Sequence, residues 1–447
     1  MKRKSFFVTV IGIAVPIGLQ SMLQSSFSMI DQLMVGQLGS KAVAAVEVAS
    51  RPAFLFSITL GAVAAIAGIM ISQYMGMNDD EAADRSLCVN LAAATMLAAL
   101  FTVLCLLFPA QIVHIFIEDD PEILALGKDY LFRIVWTYLP MGAASILSVI
   151  IRCAGRAEYP LFSGIASAIV NTGLNYVLIF GHFGFPALGV VGAAAASVIS
   201  QAVNVFLIAV MFYRVRVRNR AFRLSFSLGA GERKQYVQML LPILVNEFLW
   251  SVGQTVNTYI YGHIGAGDLA AMSVTGPVQG LFIGALGGVS QAAGILIGKR
   301  LGAGARDAAY HESKKLMWYG LAGSLALSAL LICLRWPYVR LYHVEESVQS
   351  AAAGLLLAFA VLAPVKVSNM ILGGGIIRSG GRTTYIMAID MAGTWLVGVP
   401  LGLITAFWFH LPIVWVYFIL SQEELVRLLL SLFVFRRRHW MASLSKT

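Results

Sequence analysis

The 447-residue chain is 59% hydrophobic and only 12% charged, with a formal net charge of +10 and a mean hydropathy of +0.80. Water-soluble domains carry about 25% charged residues, so a chain with half that share cannot clothe a water-facing surface and reads as an integral membrane protein. The basic excess lies in segments flanking apolar runs, where positive-inside bias explains it, and points to a lipid bilayer and away from nucleic acid.

The opening Met1-Lys2-Arg3-Lys4 and the apolar run behind it resemble a signal peptide, but the run is too long and its pattern returns later, so it reads as a retained helix. Twelve spanning helices are predicted, at 6–34, 43–73, 84–108, 124–150, 158–181, 187–213, 234–261, 268–297, 311–334, 349–375, 384–409 and 411–435. Each run has roughly the 20 residues needed to cross a hydrocarbon core about 30 Å thick. The runs are continuously apolar rather than alternating, which selects helices over a barrel. The longest polar connection, 214–233, holds RVRVRNRAFR and marks an inter-lobe linker between an N-terminal lobe, 1–213, and a C-terminal lobe with a basic tail, 234–447. Of the 32 Lys and Arg, 24 fall in the N-terminus, the even-to-odd loops and the C-terminal tail, whereas Lys41, Lys128, Arg335 and Arg340 alone occupy the opposite connections. That bias puts both termini in the cytoplasm of a multi-pass protein of the cell's inner or plasma membrane. Cys88, Cys105, Cys153 and Cys333 are scattered, without disulfide or metal-site spacing, and read as buried thiols.

The chain is an internal duplication. PIGLQSMLQSSFSMIDQLMVGQLGSKAVAA, from Pro16 to Ala45, returns 226 positions later as PILVNEFLWSVGQTVNTYIYGHIGAGDLAA, from Pro242 to Ala271. The same offset joins Gly68-Ile69 to Gly294-Ile295, Gly76 to Gly302, Ile151-Arg152 to Ile377-Arg378 and Gly155-Arg156 to Gly381-Arg382. Six helices per half, an even number, make these parallel repeats, an arrangement found in secondary transporters. The expected fold is therefore all-α, with twelve transmembrane helices in two six-helix lobes, a cavity between them and alternating access by rocking. One chain holds both lobes, so a monomer suffices.

The duplication is asymmetric where it matters. Asp31 in the first copy stands where the second has Asn257. A carboxylate in a spanning helix costs about 2.5–3.5 kcal/mol at the bilayer centre and normally faces a cavity with a task; the plainer alternative is an interfacial Asp capping the helix end. Asn171 and Asn175 sit one turn apart on one face of helix five, as Gln20 and Gln24 do in helix one. Such amides can hold a protonated acid, coordinate a cation, or simply bind helix to helix. Glu47 and Arg51 are spaced to pair with each other. Glu247 in helix seven has no local partner, Asp390 stands alone in the apolar run of helix eleven, and Lys366 beside Pro364 would repel a cationic ligand. Met22, Phe27, Met29, Trp250, Tyr259 and Met272 suit an adaptable binding surface, although such side chains most often serve packing. No Walker A motif is present, since Gly294 to Arg300 has the wrong spacing, and neither HExxH nor GxSxG occurs, so neither an ATP engine nor an enzyme is expected.

With these residues identified, the chain resembles the multidrug and toxic compound extrusion (MATE) family of cation-coupled antiporters, part of a wider flippase superfamily. The likeness rests on Asp31, Gly36 and Ala44-Ala45, on Arg152-Cys153-Ala154-Gly155-Arg156, on Asn171-Thr172-Gly173-Leu174-Asn175-Tyr176, on Pro242 to Gly253, and on Arg436 to Trp440. The resemblance implies export of organic cations and drugs in exchange for H⁺ or Na⁺, with no other cofactor. It makes Asp31 the coupling acid and Glu247, as a second proton site, the nearest match to the second-lobe acids of other members. Asn171 and Asn175 are candidate partners of Asp31 in holding H⁺ or Na⁺, and Gln20, Gln24, Met29, Asn257 and Asp390 are candidate cavity residues. Some family members carry an Asp at the place of Asn175, which this chain lacks. The rival reading is a flippase for lipid-linked precursors, which would need several cavity-lining cations; here the spans hold only Arg51, Arg133, Lys366 and Arg427.

Overall fold

The computed structural model describes residues 5–116, 120–217, 222, 225–227, 229–342 and 344–444, and every regular element among them is helical. The predicted linker, 214–233, lies partly outside the described residues. Among the described residues, eleven helices are long and apolar enough to cross a membrane: α1 (Phe6–Gly36), α2 (Ser40–Gly76), α3 (Asp80–Leu107), α4 (Pro121–Cys153), α5 (Glu158–Phe180), α6 (Val190–Arg216), α7 (Ala230–Ile264), α8 (Gly267–Gly302), α9 (Arg306–Val339), α10 (Glu346–Gly380) and α11 (Thr383–Trp408). The twelfth expected span is divided into α12 (Ile413–Leu420) and α13 (Glu423–Arg436). The cause is local. The Gln422 side-chain nitrogen donates to the Phe418 carbonyl at 2.9 Å, taking the acceptor that the Gln422 backbone N–H would use in an unbroken helix. The backbone tightens there, with Glu424 N donating to the Ser421 carbonyl and Leu425 N to that of Gln422.

The chain clusters into two compact units. One takes residues 229 onward together with α1 up to Ser21 and the segment Ser72–Asp79. The other takes Met22–Ile71 and continues from Asp80 up to the linker. Helices α1 and α2 thus each pass from one unit into the other.

In the second of these units, α5 and α6 form a hairpin that fixes the face carrying Asn171 and Asn175. The connection needs positive φ at Gly181, Gly184 and Gly189, and the Leu188 amide closes it by donating to the Leu178 carbonyl at 2.9 Å. Gly192 lets α6 approach the backbone of α5, because a Cβ there would strike the Leu178 carbonyl. Nearby, Asp120 starts α4 by accepting from the amides of Ile123 and Glu122, with Pro121 in the first turn. Those amides, aided by Lys41, hold the Asp120 carboxyl below its usual range.

In the other unit, α10 is the most enclosed of the spanning helices. Both α10 and α11 are locally widened, at Met370–Ile377 in α10 and at Ala392–Gly398 and Ile404–Trp408 in α11; such wide turns recur at functional sites. Gly393 and Gly398 in α11 admit the side chains of Arg427 and Glu423, which a Cβ at either position would strike. Large apolar side chains left exposed, such as Phe206, Trp318, Leu396 and Phe433, suit a lipid surround.

Candidate functional site

Of the residues singled out for chemistry, Asp31, Asn171 and Asn175 meet in one polar cluster and Asp390 lies in a second, one in each compact unit. The first joins α1 to α5. Asn175 Nδ2 donates to Asp31 Oδ1 at 2.6 Å and to Asn171 Oδ1 at 3.3 Å. The end of the Asn171 amide that faces Asp31 lies 2.7 Å from Oδ1 and 3.1 Å from Oδ2. Both asparagines are buried, and the Asn171 amide also reaches Ser197 Oγ on α6 at 3.4 Å. Two amides in hydrogen-bonding distance of one carboxylate make a site that either protonation state of the acid can satisfy. An ionised Asp31 only accepts, so the Asn171 nitrogen must face it. A protonated Asp31 can donate, and the Asn171 oxygen can face it instead. The two orientations of the Asn171 amide differ by half a turn.

Sequence reasoning missed one member of this neighbourhood. Tyr130 on α4 is buried, beside Ser50 and within electrostatic reach of Asp31. A single tyrosine without a spaced polar partner gives no signal that would find it. Gln24 and Met29 lie on exposed positions of α1, and Gln20 belongs to the other compact unit, so the structure does not group either glutamine with Asp31. Glu47 and Arg51 pair as their spacing predicts, at 2.8 Å and largely exposed.

The second cluster repeats the first with its parts exchanged. Asn246 Nδ2 on α7 donates to Asp390 Oδ2 on α11 at 2.9 Å. Helices α7 and α11 are the repeat partners of α1 and α5, and Asn246 and Asp390 are separated by 144 positions, as are Asp31 and Asn175. Here the amide is on the first helix of the pair and the acid on the second. The repeat equivalent of Asn246 is Gln20, eleven residues before Asp31, about 16 Å along a helix. The two acid–amide pairs therefore occupy non-equivalent positions of the repeat. Asn257, at the place of Asp31, is buried, and its Oδ1 has no hydrogen-bond partner among the described residues; the positions equivalent to Asn171 and Asn175 are Val397 and Leu401.

Asp390, solitary in its own run, is far from solitary in the fold. Arg427 on α13 reaches Asp390 Oδ1 at 3.8 Å, Glu423 Oε1 at 3.4 Å and Glu424 Oε1 at 3.8 Å, and it bonds to the Thr394 hydroxyl. Lys366 lies 3.8 Å from Glu424 Oε1, whose other oxygen accepts from Asn369 Nδ2 at 2.9 Å. Glu247 also has a partner, Arg378, at 3.7 Å. Arg427 is thus the hub of a buried ion network, with Lys366 at its edge beside Glu424.

The MatE family model matches the chain twice, over residues 16–177 and 242–404, so the matched segments begin at Pro16 and Pro242, the repeat offset found in the sequence. Among curated proteins, the "Uncharacterized transporter YisQ" of Bacillus subtilis is 24% identical over 432 residues, covering 95% of this chain and 93% of that protein. The "Probable multidrug resistance protein NorM" of Agrobacterium fabrum is 25% identical over 415 residues, covering 89% and 88%. Among solved structures, an outward-facing multidrug resistance MATE transporter superposes with a TM-score of 0.87 at 18% identity, over 97% of this chain and 96% of that one, a likeness of fold.

Proposed function

The chain belongs to the MatE family and is a multi-pass membrane transporter rather than an enzyme, and on that premise we propose that it exports organic cations and drugs in exchange for protons taken up at Asp31. The observation that carries this reading is the Asp31–Asn171–Asn175 geometry, one acid held by two amides. Relatives described as multidrug resistance proteins, NorM and MdtK, support the drug half of it.

In this mechanism both termini face the cytoplasm and Asp31 lies in the outer half of α1. Protonation from outside removes its charge, the Asn171 amide turns to accept from the new O–H, and a bound organic cation loses the counter-charge that held it. Deprotonation toward the inside restores the anion. Proton and substrate thus compete for one charge, which is negative coupling between two ligands. The membrane potential adds about 2.3 kcal/mol per charge per 100 mV. The groups aimed at Asp31 include amide nitrogens, which suit an acid that gains and loses a proton, whereas a Na⁺ shell is made of oxygens.

Proteoliposomes loaded with ethidium test the reading. An inward proton gradient should drive dye efflux, and an imposed Na⁺ gradient at constant pH should not. Na⁺-driven efflux would move the coupling to sodium, and no efflux under either gradient would favour the flippase alternative. Asn175→Leu, which keeps the volume and removes the donor, should lower proton-driven efflux at least about tenfold while the protein elutes as a folded species, because a hydrogen bond to a charged group is worth about 1.5–3 kcal/mol. Wild-type efflux from Asn175→Leu would remove α5 from the coupling site.

A further inference from the structure

At the basic end of the C-terminal unit, where α2 and α8 both finish, the repeat makes a reciprocal contact through glycine. A Cβ on Gly76 would strike the Lys299 carbonyl, and a Cβ on Gly302 would strike the Gln73 carbonyl. Gly302 is Gly76 moved by the repeat offset, and Lys299 is Gln73 moved by the same offset, so the two contacts are equivalent about a local two-fold axis. A third glycine, Gly298, lies against the Ser72 hydroxyl. Segment Ser72–Asp79 thereby belongs to the same compact unit as α8, while the rest of α2 runs on into the other.

One half of this symmetric contact carries an addition that the other lacks. After α13 the chain turns back at Arg438, whose φ is +58°, an uncommon conformation for a non-glycine residue. Arg438 is held there by Asp307 at 3.2 Å and by the Tyr310 ring, 4.1 Å beneath its guanidinium. Trp440 is fully buried, stacks on Phe435, and its carbonyl rests where a Cβ on Gly380 would be. The tail then grips Gln73 by both ends of its amide. The Leu444 N–H donates to Oε1 at 2.8 Å, and Nε2 donates to the Ala442 carbonyl at 3.4 Å and the Ser379 carbonyl at 2.7 Å. Gln73 is completely buried by these contacts. A glutamine bonded in this way behaves as a peptide group paired with a neighbouring strand.

We infer that residues 437–444 are a latch that holds the end of α2 onto α8, and that the latch releases once in each transport cycle. The inference rests on the alternating-access reading above: α2 belongs to both compact units, so a rearrangement that takes its end away from α8 has first to break the tail's hold on Gln73.

Two measurements test the latch. Ser379→Cys places a thiol at a position that is 1% exposed, and its labelling by a maleimide, read by mass spectrometry of that peptide, needs neither substrate nor gradient. Removing residues 437–447, or the milder Gln73→Ala, should raise the labelling rate at least about tenfold, the order expected for loss of the tail's two hydrogen bonds to Gln73. Unchanged labelling in a folded, monodisperse Gln73→Ala protein would overturn the latch whatever the transported substrate is. Conversely, a Gln73→Cys/Leu444→Cys disulfide should stop ethidium efflux and release it again on reduction. Efflux at the wild-type rate from the cross-linked protein would show that this end never needs to open.

Discussion

Asp31→Asn should reduce proton-driven ethidium efflux to the leak of empty liposomes, the largest functional effect expected from any single substitution in this chain. The substitution keeps the shape and hydrogen-bonding capacity of the protonated acid, so α1 and α5 stay joined, but it fixes the site in its neutral form. Competition then has nothing to act through. Drug binding in detergent should weaken by about 5–150-fold, the span of ordinary coupling free energies of about 1–3 kcal/mol, and should lose its dependence on pH. The two readouts separate a coupling role from a structural one. A merely structural Asp31, capping the end of its helix, would leave binding pH-dependent and lower only the yield of folded protein.

The largest effect on stability is expected at Arg427. This guanidinium is buried and faces three carboxylates, those of Asp390, Glu423 and Glu424. Removing one partner of a buried ion pair leaves an uncompensated charge and costs about 3–5 kcal/mol, so Arg427→Met should melt well below wild type in detergent and lose most of its monodisperse yield. Neutralising one acid as well, as in Arg427→Met/Glu423→Gln, should recover part of the loss, because the excess negative charge falls. Equal melting of Arg427→Met and wild type would mean that the acids are not held by Arg427 at all. Glu423 Oε2 and Arg427 Nε have no hydrogen-bond partner among the described residues, so the network is held by charge more than by directed bonds.

The two clusters are legible in the sequence to very different degrees, for a physical reason. Asp31 announces itself because a lone carboxylate in a span is costly, and Asn171 and Asn175 because their spacing puts them on one face of one helix. What joins them is a contact between α1 and α5, which the repeat alone could not place. The second cluster is assembled from α7, α10, α11 and α13, and its charges each look accidental in their own stretch. Asp390 reads as solitary, Lys366 as a cation out of place, and Glu423 and Glu424 as part of one continuous twelfth helix. Their meeting depends on the break at Ser421–Gln422 and on Gly393 and Gly398, whose small size is visible in the sequence but whose neighbours are not. The grip of the tail on Gln73 is farther still from view, since Gln73 and Leu444 are 371 positions apart.

The direct test of the account is proton release on substrate binding. Purified protein in weakly buffered detergent solution, at a pH where Asp31 carries a proton in part of the population, would receive ethidium while bulk pH is recorded. Wild type should release protons in proportion to the dye bound, and Asp31→Asn should bind its dye with no release. Binding to wild type without a proton signal, or an equal signal from Asp31→Asn, would contradict exchange at this carboxylate.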